Sequence, residues 1–153
     1  MSADQTTEPS YYNSVYRHGV DDKRRVQVPA RWRPADASVE FTVIVWPNQH
    51  GPCLRALPPK EMAELMVEID AMPSSDPRKV VLKRNIGSKS IQVPVDKAGR
   101  ICLPEEMAVA AGLKDEAVLV GLLDRFEIWN PGRYAAVEAA DAVLAHEAFK
   151  MME

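Results

Sequence analysis

The sequence predicts an α+β fold with a mainly β core, in which two copies of one small module are combined with peripheral helices. Three observations predict it: an internal repeat, short apolar runs that end at proline or glycine, and longer stretches with helical periodicity. A chain of 153 residues is long enough for one compact domain or for two small domains packed closely together.

The internal repeat joins a stretch near the N-terminus to one past the middle of the chain. Residues 19–30 match residues 94–105 at a constant offset of 75. The matched pairs are Val20 with Val95, Asp21 with Asp96, Arg25 with Arg100, Val26 with Ile101, Val28 with Leu103 and Pro29 with Pro104. The same offset places 42–45 on 117–120, and a two-residue gap places 53–58 on 126–131. Three matches in one order indicate a duplicated chain.

The first copy has the pattern of two strands joined by a charged turn, followed by a hairpin. The predicted segments are a strand at 12–20, the turn at 21–24, a strand at 26–28, and hairpin strands at 41–46 and 53–57. Pro29 suits the start of a short helical turn, because the first helical position needs no amide hydrogen.

Two helices are predicted after the first copy. Residues 58–72 place four apolar side chains on one helical face. They are Met62, Leu65, Met66 and Ile69. Asp76 and Pro77 can cap a second helix that continues to about Asn85.

The second copy repeats the order, with strands at 90–95 and 101–103 around a turn at 96–99, then a short helix at 104–111. A tight hairpin at 118–123 and 126–129 and an alanine-rich helix from Pro131 to about Met151 complete the chain. The predicted division is a flexible N-terminal arm (1–14), a first module with its following helix (15–75), a connecting helix (76–89), a second module (90–140) and a C-terminal helix extension (141–153).

Charge is unevenly distributed along the chain. The net charge of −3 argues against a protein that coats nucleic acid indiscriminately. Residues 1–35 nevertheless carry six basic groups against four acidic ones, and residues 78–100 carry seven basic groups against Asp96 alone. This pattern is compatible with DNA binding if folding places both basic segments on one face. Solvated charged faces are the alternative interpretation.

Other features limit the compartment and the class of protein. Cys53 and Cys102 each lie in an apolar run, which predicts two buried free thiols rather than a disulfide. No apolar run approaches the roughly 20 residues that a membrane helix needs, and the N-terminus has no apolar signal segment. These features predict a cytoplasmic protein. The three histidines lie far apart and no nucleophile or metal motif is present, so the sequence predicts no catalytic residue, metal, cofactor or enzymatic activity.

The repeated turn is the candidate for binding chemistry. In each copy an aspartate and an arginine enclose three residues, one of which is a lysine. The carboxylate can accept backbone N–H groups and pair with the arginine, which would hold the guanidinium in a fixed direction. Such a guanidinium can bind a guanine edge or a phosphate. A self-stabilising turn without a ligand is the alternative.

Three stretches together resemble the MraZ family of bacterial regulators. They are 20–33, 95–104 and the ending 117–129, of which the paired D-x-x-x-R turns and R-F-E-I-W are the specific parts. The resemblance covers about residues 15–140 and implies two swapped-hairpin AbrB-like modules that form a pseudo-dimeric β-barrel. It also implies a ring-shaped homo-oligomer that binds direct repeats upstream of the division and cell-wall gene cluster, usually as a repressor.

The resemblance implies which residues bind DNA. Its paired motif falls on Asp21 with Arg25 and on Asp96 with Arg100. Together with neighbouring basic residues, the predicted DNA-binding set is Asp21, Lys23, Arg24, Arg25, Arg31, Arg33, Asp96, Lys97 and Arg100. The expected partners are double-stranded promoter DNA and further copies of the chain, in the cytoplasm at the nucleoid. No membrane or small-molecule substrate is expected.

One residue departs from the family pattern, and one rival function stays open. The family usually has glycine before the arginine of the first motif, where this chain has Arg24. Either the first turn takes another shape or Arg24 is kept for phosphate contact. The rival is an antitoxin-like or assembly module that acts mainly through protein–protein contacts, although two modules with ordered helices and matched charged turns disfavour it.

Overall fold

The computed structural model describes residues 11–153, and the secondary structure agrees closely with the predicted order of elements. The strands are β1 (Val15–Gly19), β2 (Arg25–Gln27), β3 (Glu40–Trp46), β4 (Cys53–Leu57), β5 (Ser90–Pro94), β6 (Arg100–Cys102), β7 (Glu116–Gly121) and β8 (Phe126–Trp129). The helices are α1 (Pro59–Asp70), α2 (Pro77–Ser88), α3 (Glu105–Ala110) and α4 (Pro131–Lys150), with a 3-10 turn at Ala30–Trp32. The mixed α+β class is therefore confirmed.

The predicted N-terminal arm lies mostly outside the described residues, which begin at Tyr11. Tyr12, near the end of that arm, is buried and exchanges two backbone hydrogen bonds with Leu123, both 2.8 Å long. Its ring packs edge-on against Trp32 and Phe41. Among residues 11–153, no helix is both long and apolar enough to cross a membrane.

All the strands pair antiparallel in two sheets. Six strands follow the order β1-β7-β8-β4-β3-β5, and β2 pairs with β6 in a separate ribbon. Within the described part of the chain, β1 and β5 are the edges of the large sheet, so the pairing does not close it. The predicted closed β-barrel is therefore not found. Instead, the ribbon packs its inward residues, among them Val26 and Ile101, into the same core as the sheet.

The strand pairing is symmetric when the two halves of the chain are exchanged. β1 pairs with β7 as β5 pairs with β3, so each half supplies the neighbour of the other half's edge strand. The ribbon is centred on Val26 opposite Ile101, which are counterparts in the repeat. β4 and β8 are centred on Arg55 opposite Glu127, which form an ion pair at 3.0 Å. Because these pairings join the two halves, neither half completes the sheet alone.

The strand register corrects the predicted alignment of the two hairpins by one residue. Tyr16 pairs with Leu119, whereas its counterpart Ile91 pairs with Val43. Leu119 therefore occupies the place of Val43, and not that of Ile44 as the constant offset predicted. Val43 and Leu119 both lie in the main core, while Ile44 faces the other side of the sheet. Because a shift of one residue moves a strand's side chains to the opposite face of the sheet, the burial of Leu119 shows that the sequence match was wrong by one residue.

Three helices, α1, α2 and α4, cover the outer face of the large sheet, whereas Met107 and Ala108 of α3 lie in the main core. α1 and α2 bury Ile69 and Ile86 against Ile44 and Leu57. The start of α4 packs near Trp129, and Asn130 caps this helix by accepting the amide hydrogen of Arg133 at 2.9 Å. The ribbon and its turns lie on the opposite side of the sheet from these helices, since its inward residues belong to the main core.

The two cysteines differ, which corrects the prediction that both are buried. Cys53 is buried on the helix-covered face, and burial raises the pKa of its thiol to about 12. Cys102 is exposed because it follows the inward Ile101 in β6, and successive side chains of a strand point to opposite faces. Both are free thiols.

Candidate nucleic-acid interface

The β2–β6 ribbon places the two charged turns beside each other. We call residues 21–25 turn 1 and residues 96–100 turn 2. Gln27 in β2 donates its side-chain amide to the carbonyl of Ala98 in turn 2 at 3.1 Å. Cys102, the counterpart of Gln27, contacts the carbonyl of Lys23 in turn 1 through its sulfur at 3.4 Å. Each turn is thus bound to the return strand of the other copy, and the two repeats contribute to one surface.

Turn 1 is organised around the carboxylate of Asp21. Its Oδ1 accepts the amide hydrogens of Lys23 at 3.0 Å and Arg25 at 2.8 Å. Its Oδ2 accepts Nε–H of Arg25 at 2.7 Å. The amide of Arg25 is the first cause that lowers the pKa of Asp21 below its usual value, and the bond to Asp21 raises the pKa of Arg25. Both groups therefore stay charged at neutral pH, and the guanidinium is held in one direction.

Turn 2 has the same backbone arrangement with a looser arginine. Asp96 accepts the amide hydrogens of Ala98 at 2.9 Å and Arg100 at 2.8 Å, and the amide of Arg100 is the first cause that lowers its pKa. Nε of Arg100 lies 3.3 Å from Asp96 Oδ2 but is not aligned for a hydrogen bond. Nη1 of Arg100 lies 3.9 Å from Asp21. Arg100 thus lies between the two carboxylates.

The outward surface of the turn pair is cationic. The side chains of Arg25 and Arg100 are 30% and 31% exposed, although Nε of Arg100 is itself buried. Three further cations of the predicted set are exposed and form no ion pair with any residue from 11 to 153. They are Lys23, Lys97 and Arg31. Two arginines beside aspartates, with exposed cations nearby, can bind the phosphates and base edges of a nucleic-acid groove.

Arg24 does not change the shape of turn 1, which resolves the first alternative raised by the sequence. Its φ is 60°, in the left-handed region, and its counterpart Gly99 has φ 85°. Both donate the amide hydrogen to the carbonyl of the turn's aspartate at 2.9 Å. The Arg24 guanidinium donates Nε–H to the carbonyl of Leu103 at 3.0 Å. A hydrogen bond from a charged donor contributes about 1.5–3 kcal/mol, which can offset the roughly 1–2 kcal/mol strain of a left-handed side-chain-bearing residue.

The basic residues of α2 do not join this surface. Arg78 is bonded to Asp76 at the helix start, at 2.7 Å, and Lys83 lies 4.0 Å from Asp70 of α1. α2 ends where β5 begins, whereas turn 2 follows the end of β5, and a five-residue strand is about 17 Å long. The folding of residues 78–100 therefore separates its basic groups into two clusters.

Two arginines missed by the sequence analysis are structural. Arg133 donates Nη1 to the carbonyls of Pro52 at 2.8 Å and Ala110 at 3.0 Å, which joins α4 to the β3–β4 loop and to the end of α3. Arg125, at the start of R-F-E-I-W, lies 3.5 Å from Glu61 of α1. Isolated arginines carry no sequence signal for such long-range bonds. Within residues 11–153, no three His, Cys, Asp or Glu side chains are grouped to hold a metal ion.

The chain is similar to known proteins over most of its length. A family model described as "MraZ protein, putative antitoxin-like" matches residues 88–151. The transcriptional regulator MraZ of Roseiflexus castenholzii is 35% identical over 139 residues, covering 90% of this chain and 94% of that protein. The corresponding regulators of Caulobacter vibrioides and Rickettsia rickettsii are 31% and 30% identical, covering 88% of this chain and 86% and 91% of those proteins.

These relatives are transcriptional regulators, and the resemblance noted in the sequence is confirmed. The prediction that the chain is not an enzyme is confirmed with it, because the family is non-enzymatic. The chain belongs to the MraZ family of transcriptional regulators.

Proposed function

We propose that this protein is a sequence-specific DNA-binding regulator, acting as a repressor on direct repeats upstream of the bacterial division and cell-wall gene cluster. It would act in the cytoplasm, at the nucleoid, as a ring-shaped homo-oligomer. This proposal is supported by the pair of matched turns, in each of which an aspartate holds the backbone and lies beside an arginine, with an exposed lysine in the same turn. The strands that cross between the halves support two swapped-hairpin AbrB-like modules, with the boundaries 15–75 and 90–140 predicted above.

The geometry of the turns favours DNA over a self-contained turn. Asp21 and Asp96 are already satisfied by backbone amides, so they can fix the turn without the guanidinium. Arg25 and Arg100 can therefore present Nη atoms to base edges, where a bidentate contact is worth about 1–3 kcal/mol of discrimination. Lys23 and Lys97 can contact phosphates on either side. The remaining members of the predicted set, Arg24, Arg31 and Arg33, flank the same surface.

Several copies acting together would compensate for the acidic body of each chain. The net charge of −3 limits the affinity of one copy for phosphate, while linked copies bind adjacent repeats at a high effective concentration. Direct repeats in the DNA present binding sites in one orientation, which matches the subunits of a ring, because head-to-tail contacts around a rotation axis form a closed assembly.

One surface for such contacts is the second half of α4. Apolar residues continue along one face of this helix at helical spacing. They are Val137, Ala140, Leu144, Ala148 and Met151. The first, Val137, packs against the cluster around Trp129, but Leu144 and Met151 are 65% and 85% exposed. We name this face the α4 stripe, and it extends beyond the body of its own chain.

The matching surface is a groove beside α2. It is a cavity of about 680 Å³ whose lining includes Trp46, Met72, Val81 and Leu82, with Arg78 and Lys89 as its basic residues. From 76 to 89 there are five cations and one acidic group, Asp76, which is paired with Arg78, whereas four of the five charged side chains from 138 to 153 are carboxylates. This complementarity supports a head-to-tail contact in which the α4 stripe of one copy occupies the groove of the next.

DNA binding is tested with duplex DNA taken from upstream of the protein's own gene. Fluorescence anisotropy is measured for this duplex and for a scrambled duplex of equal length, from about 50 to 300 mM salt. We expect tighter binding to the native duplex and a linear fall in log affinity with log salt, because phosphate binding releases counterions. Equal affinity for the two duplexes would overturn sequence-specific regulation. Binding to neither would favour the antitoxin-like or assembly function.

The assembly is tested by light scattering after size-exclusion chromatography. Leu144→Asp introduces a charge in the α4 stripe, and Ala142→Asp introduces the same charge on the opposite side of the helix. We expect the wild type and Ala142→Asp to form the same closed oligomer, and Leu144→Asp to lose mass. A monomeric wild type would overturn the ring, and an unchanged Leu144→Asp oligomer would exclude the α4 stripe as its contact.

A further inference from the structure

Two equivalent backbone carbonyls at the turn pair each accept a guanidinium from a different position in the repeat. The carbonyls of Val28 and Leu103 are counterparts at the ends of the two return strands. Arg33 donates Nε–H to Val28 at 2.8 Å, and Arg24 donates Nε–H to Leu103 at 3.0 Å. The donors are not counterparts. The position of Arg24 is Gly99 in the second copy, and the position of Arg33 is Ala108.

At turn 2, a side chain at position 99 and the guanidinium of Arg33 cannot both be accommodated. A Cβ atom on Gly99 would lie 2.3 Å from Cζ of Arg33 and 2.6 Å from its Nε. Gly99 is therefore the space in which the Arg33 guanidinium lies. At turn 1 the position equivalent to Arg33 is the buried Ala108, which offers no donor, and Arg24 reaches the carbonyl from within the turn itself.

Both guanidiniums act where a turn of one copy meets the return strand of the other. Val28 donates its amide hydrogen to the carbonyl of Gly99 at 2.8 Å, and Leu103 donates its own to the carbonyl of Arg24 at 3.0 Å. Val28 and Leu103 thus each use the backbone amide to bind a turn of the other copy and the backbone carbonyl to accept a guanidinium. The Arg24 bond joins turn 1 to the end of β6, whereas the Arg33 bond stays within the first copy and places its guanidinium over Gly99 of turn 2.

We propose that Arg24 and Arg33 are positioning residues, which set the relative placement of the two DNA-reading turns instead of contacting phosphate. This rests on the proposed DNA binding by Arg25 and Arg100. Arg24 and Arg33 are half-buried with Nε engaged, whereas Arg31, two residues before Arg33, is exposed without an ion partner in the described chain. Arg31 is therefore the control residue, whose side chain is free to contact a phosphate directly.

Salt dependence separates positioning from phosphate contact. Specific and scrambled duplexes are titrated with the wild type, Arg33→Ala, Arg33→Lys and Arg31→Ala. Loss of one phosphate contact lowers the slope of log affinity against log salt by about 1 and weakens binding to both duplexes equally. We expect this for Arg31→Ala. For Arg33→Ala we expect about a tenfold loss of specific affinity with an unchanged slope, and Arg33→Lys should not restore it, because a lysine lacks the fixed Nε donor.

The second series tests Arg24. Arg24→Gly removes the guanidinium at turn 1 and is expected to lower specific affinity in the same way. Arg24→Lys keeps the positive charge but lacks the fixed Nε donor, so it should lower specific affinity as well. Thermal unfolding of each variant identifies any that fails to fold, in which case the Arg33 series decides.

Amide hydrogen exchange supplies a readout that does not depend on DNA. In Arg24→Gly the amides of Leu103, Lys23 and Arg25 should exchange faster while the core amides of the large sheet keep their protection. Unchanged exchange at these amides, or a lysine variant that recovers full affinity, would overturn the positioning role. Unchanged specific affinity in Arg24→Gly and Arg33→Ala would make both residues purely structural. If the wild type itself showed no specific binding, the proposed function would be overturned instead.

Discussion

Turn 1 and turn 2 share a backbone but hold their arginines differently. In turn 1, Arg25 is bonded to its own aspartate at 2.7 Å, whereas Arg100 of turn 2 lies 3.3 Å and 3.9 Å from two aspartates without a well-aligned bond. The left-handed position before each arginine is Arg24 in turn 1 and Gly99 in turn 2. The backbone motif is thus kept in both copies, while the side chains that support it differ between them.

This difference assigns unequal roles to the two turns. Turn 1 carries its own support, because Arg24 lies within it and Arg25 is tightly held. Turn 2 depends on an outside residue, Arg33, and leaves Arg100 free to reorient. We therefore expect turn 2 to be the more sensitive to substitution in its backbone and the stronger contributor to DNA binding.

The largest effect is expected from Gly99→Ala. A side chain at φ 85° is strained, and its Cβ would displace the Arg33 guanidinium and break the bond to Val28. We expect a loss of about 2–4 kcal/mol in the free energy of unfolding, measured with urea. Gly87→Ala is the control, because a Cβ there meets nothing within 4 Å in α2. It should stabilise the protein by up to about 1 kcal/mol, and equal losses for the two variants would contradict the role of Arg33 at turn 2.

The next effect is on DNA binding by the two arginines. Arg100→Ala should weaken specific binding by about 1–3 kcal/mol, and Arg25→Ala by less, because Arg25 has less freedom to meet a base edge. Both should keep the oligomer of the wild type. Binding is measured by anisotropy and mass by light scattering. If either variant disassembles the oligomer, that turn is structural and its arginine does not belong to the DNA-binding set.

The repeated motif made the site predictable, while the long-range pairing did not follow from the sequence. The aspartates and arginines of both turns could be found because they recur at fixed spacing within a few residues. The bond from Arg24 to Leu103 spans 79 residues, and no local pattern encodes it. The hairpin match was shifted by one residue because apolar residues outnumber polar ones in both buried strands, so that side-chain alternation is hidden.

The exposed face of the ribbon was also not predictable. Cys102 follows the apolar Ile101 and precedes the apolar Leu103, so its exposure depends on which side of a three-residue strand packs on the sheet. The same holds for closure of the sheet, which depends on whether the edge strands β1 and β5 meet. Such outcomes are decided by tertiary packing rather than by local propensity.

A smaller effect is expected on the titration of the two aspartates. Both pKa values are lowered, so the stabilising contribution is present above the ordinary value near 3.8 and is lost as the pH falls through the lowered one. Arg25→Ala should raise the pKa of Asp21, since the guanidinium bond is among its main causes. Arg100→Ala should raise the pKa of Asp96 less, because the Arg100 side chain acts on Asp96 mainly through its charge and the backbone hydrogen bond from residue 100 remains.

Carboxyl-carbon NMR measures these shifts in the intact protein. Asp36 provides the internal control, since Ser38 alone lowers its pKa through hydrogen bonds and neither turn contributes. Its titration should be the same in both variants. A larger shift at Asp96 than at Asp21 would mean that Arg100 is held more tightly than Arg25, which would reverse the comparison of the two turns.

The smallest effect is expected for the free energy of unfolding of Arg24→Gly. Glycine relieves the strain at φ 60°, worth about 1–2 kcal/mol, and the variant loses a half-exposed hydrogen bond of similar size. The two changes oppose each other, so urea unfolding should shift by less than about 1 kcal/mol. Gly99→Ala lacks such compensation, because it adds strain and removes a bond at the same time. A loss above about 2 kcal/mol for Arg24→Gly would mean that the bond to Leu103 supports the fold as a whole and not only the placement of turn 1.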